Sequence, residues 1–152
     1  MKKFIHRYSP ILMVAALGLL STACLTFKAG YFDNDKKLAG SVVDDYHRLY
    51  NDRNYEEIFN TAHPEAKRTK SKEALGAALA QTFDRYGKFV SGELVFSKVT
   101  VVGANERQVD LAYKSKFERG ERNETFLIIT DDRTGALFGI GELSDEEIEK
   151  LK

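Results

Sequence analysis

Asp44, Asp45 and His47 fall within one turn of a regular amphipathic stretch, and three-residue spacing puts Asp44 and His47 on one helix edge. A carboxylate, an imidazole and a tyrosine such as Tyr113 are the ingredients of general acid–base catalysis, which also needs a buried group with a shifted pKa. The edge carrying Asp44 and His47 lies mostly opposite the apolar stripe, so both side chains read as solvated. The inward strand positions read as apolar or tyrosine, and no catalytic residue is assigned. His63 precedes Pro64 and reads as a loop or capping histidine; neither it nor His47 has the spacing of a metal motif. Asp131 to Gly135 (DDRTG) lacks the alternating oxygen ligands and distal Glu of a calcium loop and reads as a hairpin turn. No metal and no cofactor is expected. Lys67, Arg68, Lys70 and Lys72 form a basic patch, read as a solvated loop with anionic lipid headgroups as the alternative contact. The single cysteine, Cys24, excludes an intramolecular disulfide and a multi-cysteine zinc site.

These residues need a scaffold, and 152 residues supply one domain with a targeting segment. A 43% hydrophobic chain can bury a core, and 23 basic against 23 acidic residues leave no electrostatic footprint for nucleic acid. Leu38, Val42, Tyr46, Leu49 and Tyr50 recur at helical steps from Lys36 to about Asn51. Asn54 caps a short second helix that stops near His63-Pro64. Lys67 to Lys72 reads as loop, and Ser71 caps a third helix ending at Gly87. The period then changes. Phe89 to Val102 and Val109 to Phe117 read as strands, Glu118 to Arg122 as a turn about Gly120, and Thr125 to Thr130 and Ala136 to Gly141 as two more strands. Ser144 with Glu147 is a capping box for a last short helix. Helices followed by consecutive strands with short turns predict an α+β domain: N-terminal helices on a curved four-stranded antiparallel sheet, preceded by a signal or anchor helix.

The N-terminus carries an address. Lys2, Lys3 and Arg7 precede an apolar run from Ile11 to Phe27, and small residues lead into Ser21-Thr22-Ala23-Cys24. This resembles the lipobox of bacterial lipoprotein precursors, although Ser21 stands where that family prefers Leu. The resemblance implies cleavage before Cys24 and acylation of its thiol, with 1–23 as signal peptide, 24–35 as tether and 36–152 as the domain. Two other readings stay open: an uncleaved anchor, since 17 apolar residues are near the minimum for spanning a core of about 30 Å, and a peptide cut near Ala23. All three export the domain. Losing residues 1–23 removes three basic and no acidic residues, leaving a formal charge near −3. Leu25 after Cys24, in place of the Asp that favours inner-membrane retention in such lipoproteins, favours the outer membrane in a two-membrane organism.

The element order, the segment Leu49 to Ile58 (LYNDRNYEEI) and the helix ending in Tyr86-Gly87 resemble the cystatin-like cone of the nuclear transport factor two superfamily, over about Lys36 to Glu142. The resemblance implies a hollow between the helices and the sheet, lined by Tyr46, Tyr50, Phe83, Tyr86, Tyr113 and Phe117. Aromatic residues at such positions serve as plain core or as walls of an apolar ligand site. The expected function is a non-enzymatic, membrane-anchored envelope lipoprotein, held by lipid at Cys24, whose domain binds a partner protein or an apolar ligand. The alternatives are a small hydrolyase or isomerase using Asp44 or His47, and a homo-oligomer paired through the sheet face that carries Asp110, Lys114 and Lys116.

Overall fold

A computed structural model describes residues 32–151, which fall in one compact unit. The expected signal peptide, the expected acylation site Cys24 and the expected tether up to residue 31 lie outside the described residues. Four helices come first: α1 (Asp33–Asn51), α2 (Tyr55–Thr61), α3 (Pro64–Thr69) and α4 (Lys72–Tyr86). Strands β1 (Phe89–Val101), β2 (Arg107–Phe117), β3 (Gly120–Thr130) and β4 (Gly135–Leu143) follow, and α5 (Asp145–Glu149) closes the chain. The strands form one antiparallel sheet in sequential order, so the expected α+β meander with helices packed on it is what the chain adopts. Register shifts near Val90, Val95 and between Leu127 and Ile128 mark irregularities of the kind that bend strands.

Helix α1 starts at Asp33, three residues before the expected Lys36, so Asp33 to Asp35 belong to the helix and not to the tether. Its C-terminus is a Schellman turn: Asn54 N–H donates to Leu49 O at 2.9 Å and Arg53 N–H to Tyr50 O at 3.0 Å. Arg53 takes the left-handed position at φ 55°, usually a glycine's, and its guanidinium lies 4.1 Å from the centre of the Phe83 ring. The Asn51 side chain then pairs with the backbone of Phe89 in both directions, at 3.0 and 2.8 Å, and fixes where the sheet begins.

Residues 67–69, expected in a loop, belong to α3, as does the proline that ends α2. Pro64 sits in the first turn, where its missing N–H costs nothing, and the Glu65 N–H donates to His63 Nδ1. Ala66 supplies the buried contact. The caps at Asn54, Ser71 and Ser144 form as the sequence predicts, the last as a full capping box with Glu147. Gly87 ends α4 at φ 79°, a backbone conformation that side chains with a Cβ rarely adopt, so the turn there demands glycine.

The core lies between α1 and the inner sheet face: Ala39, Val43, Tyr46 and Tyr50 meet Val109, Leu111, Phe117, Phe126 and Ile128. Two polar clasps hold the ends of this contact. Asp35 accepts from Arg107 Nε at 2.9 and 3.0 Å and from Thr130 Oγ1 at 2.7 Å; His47 Nε2 and Glu124 Oε2 share a bond of 2.9 Å. Twelve helical residues span about 18 Å and six strand residues about 20 Å, so both clasps close only with α1 antiparallel to β3 in this one register.

Candidate functional site

On the inner face, β3 alternates Arg122, Glu124, Phe126, Ile128 and Thr130 toward the helices, and β4 answers with Glu142, Ile140 and Leu137. Glu124 and Glu142 are register partners, so two carboxyl groups face each other across the strands and each needs a partner. Each has a different one.

Glu124 is 1% exposed and bonds His47, which is 5% exposed. The imidazole stacks on Phe89 with centroids 3.6 Å apart and planes 5° apart, and meets Phe126 edge-on. Aromatic rings therefore close the pair in. The reading of His47 as solvated is corrected here, and so is the reading of the inner strand positions as apolar or tyrosine. At about 100° per residue the buried positions of α1 cover roughly 160° of its circumference, with Leu49 and His47 at the two edges, and Asp44 falls outside it, exposed.

Glu142 instead pairs with Arg122, at 3.0 Å, and its side chain is half exposed. The Arg122 side chain is 11% exposed, its guanidinium carbon lies 5.5 Å from the centre of the Tyr86 ring, and its Nε–H is buried with no hydrogen-bond partner. Arg122 and Glu142 line a cavity of about 500 Å³ between the helical layer α2–α4 and β4. Its walls are mainly apolar, with Ile58, Leu75, Leu79, Leu137 and Ile140 among them, and small residues of the helices leave the space open. Tyr46 lines it too; burial first and the charge of Glu124 second push its hydroxyl pKa well above the ordinary value, so the group stays protonated.

Of the six aromatic residues expected to line the hollow, Tyr46 is in this wall. Tyr50, Phe83 and Phe117 are core side chains, and Tyr86 and Tyr113 are partly buried against that core. The Tyr50 hydroxyl donates to Gly87 O at 3.1 Å, and burial pushes its pKa upward. The sequence reading missed Arg122, Glu124 and Glu142, although alternation continued backward from Phe126 places Glu124 and Arg122 inward. Lys67 and Lys70 of the basic patch reach the cavity rim, Lys67 donating to Asn60 O at 2.9 Å; Arg68 and Lys72 pair with Glu65 and Glu56.

Among the described residues, no group of three or more His, Cys, Asp or Glu could hold a metal ion, and no helix is long and apolar enough to cross a membrane. The turn at Asp131 is a hairpin connection whose carboxylate accepts from the N–H groups of Arg133 and Thr134. No protein-family model matches the chain, and no curated protein matches it either.

Proposed function

We propose that this chain is a non-enzymatic, membrane-anchored envelope lipoprotein, acylated at Cys24, whose α+β domain binds a small apolar ligand between α2–α4 and β4. The observation that carries the binding reading is the cavity: its 500 Å³ falls in the range of about 300–1,000 Å³ usual for small-molecule sites, and its walls are mainly apolar with few polar groups. The hydrolyase or isomerase alternative needs an acid or base at such a site. Asp44 is exposed and His47 is closed in by Phe89 and Phe126, and neither lines this wall. The lipobox-like Ser21-Thr22-Ala23-Cys24 supports the anchor, and Leu25 supports the outer-membrane side.

Two measurements test this. Titration of the exported domain with a neutral apolar fluorophore such as Nile red is expected to saturate at one site, and Ala78→Phe, on the cavity wall, is expected to weaken it strongly. Binding unchanged by that substitution, or no binding, rejects the ligand reading. The intact mass of membrane-extracted protein is expected to show loss of residues 1–23 and added acyl mass, both absent from Cys24→Ser. A full-length chain in both would make the apolar segment an uncleaved anchor.

A second reading rests on the outer sheet face, where Phe96, Ala112, Leu127, Leu143 and Leu151 line a shallow groove of about 520 Å³. It would make that face a homodimer contact, and light scattering showing a monomer at high concentration rejects it.

A further inference from the structure

The cavity wall carries a cation that its protein partners do not satisfy. Arg122 has five N–H donors, its Nε–H is buried without an acceptor, and the carboxylate beside it belongs to Glu142, half exposed to water. A buried donor without a partner is uncommon in a folded protein and calls for an explanation. The rest of that guanidinium belongs to a side chain that lines an apolar cavity, where an arriving anion would leave water behind and feel the positive charge with little screening. We infer that the cavity recognises an elongated apolar ligand bearing an acidic head group, an acyl-chain carboxylate, with the head at Arg122 and the chain along β4 toward Leu137. The inference rests on the ligand-binding reading above and specifies the class of ligand.

Three features support it. The floor from Glu142 to Leu137 is five strand residues long, about 17 Å, which suits a chain better than a compact ring. The charged side chains lining the cavity are three cations, Lys67, Lys70 and Arg122, against one carboxylate, so the lining favours an anion. Tyr46 lines the same space and, protonated at physiological pH, can donate a second hydrogen bond to the head. The lysines are weaker candidates for holding it. Lys70 is exposed, and Lys67 already donates to Asn60 O, so water competes at both. Arg122 and carboxylate geometry also match as a fork, which a lysine cannot offer.

Decanoate and decanol share a chain and differ at the head, and each can displace Nile red from the full exported domain below its micellar concentration. Decanoate is expected to displace the dye at a concentration roughly 10-fold or more lower than decanol. Arg122→Gln is expected to abolish that preference while leaving decanol binding in place. Glu142→Gln, which removes the competing carboxylate, is expected to tighten decanoate binding several-fold and leave decanol unchanged. Equal displacement by the two ligands overturns the acidic-head assignment and leaves the apolar site standing. A preference that survives Arg122→Gln overturns the role of Arg122. If Arg122→Gln does not fold, Glu142→Gln decides, and decanoate binding that stays the same or weakens counts against the inference. Failure of Nile red itself to bind removes the ligand-binding reading and this inference with it.

Discussion

Glu124 and Glu142 face each other across β3 and β4, one residue type at one register position, and their surroundings send them to different ends. Glu124 is sealed: its partner His47 comes from α1, both side chains are nearly inaccessible, and rings of Phe89 and Phe126 cover the imidazole. Glu142 is half exposed, its partner Arg122 comes from the neighbouring strand, and a buried donor of that arginine is unmet at a cavity wall. A pair whose partners satisfy each other and exclude water specifies how two elements dock. A pair that leaves a buried donor over beside an apolar cavity is equipped to meet something else. Ionisable residues of the same kind are thus separated into scaffold and candidate site by satisfaction and access, and not by residue type.

The largest effect that could break this comparison is on stability. His47→Phe keeps a ring on Phe89 but strands the Glu124 carboxylate without a partner, which should cost about 3–5 kcal/mol in urea unfolding. Adding Glu124→Leu should restore most of that loss, because an apolar pair of similar volume needs no compensation. Wild-type stability in His47→Phe alone would mean the pair is not a clasp. The other clasp comes next: Asp35→Ala removes the acceptor shared by Arg107 and Thr130 and should cost about 2–3 kcal/mol. Asp132, which pairs with the same arginine from an exposed turn, should cost under about 1 kcal/mol when replaced by Ala.

Arg122→Met is the opposite case. It leaves Glu142 hydrated and fills the wall with an apolar chain, so stability should move by about 1 kcal/mol or less while acid binding disappears. A loss as large as that of His47→Phe would place Arg122 among the scaffold residues and erase the contrast.

How far the sequence carried this picture depends on what each signal measures. Periodicity shows α1, α4 and β2, whose buried positions recur at the helical or strand period, apolar runs between turn residues show the other strands, and the caps at Asn54, Ser71 and Ser144 are legible because capping is local. The six-residue α3 is not, since its only buried member is Ala66 and no repeat exists in so short a helix. His47 escapes the sequence reading because α1, packed on the sheet, buries a wider arc than a single apolar stripe implies, and the excess arc accepts a polar residue only when a partner such as Glu124 waits opposite. Arg122 falls in the turn that the sequence predicts over Glu118 to Arg122, and Glu124 lies just before the strand predicted from Thr125, whereas β3 begins at Gly120; the alternation is present, but charged letters at inward positions look like turn chemistry. The candidate site needs Arg122, Glu142 and the non-local register of β3 with β4, so it is visible only in three dimensions.

The smallest predicted effect extends the comparison to a carboxylate that is exposed yet satisfied. Asp131 at the β3–β4 turn accepts from Arg133 N–H at 2.7 Å, Thr134 N–H at 2.6 Å and the Thr134 hydroxyl at 3.0 Å, and these bonds hold its pKa below the usual carboxylate range, the Arg133 N–H contributing most. A folded-state pKa below the unfolded one adds stability that is fully present above the unfolded value and is lost as pH falls through the folded value. Asp131→Asn should therefore flatten the acid side of the curve of Tm against pH and lower Tm slightly near neutrality, where the wild-type carboxylate is ionised in both states. An acid limb identical in the two proteins would show that the turn's hydrogen bonds form in the unfolded chain as readily as in the folded one. Satisfaction by backbone donors would then carry no folding information, and only pairs that join distant elements, such as His47 with Glu124, could be assigned a role in specifying the fold.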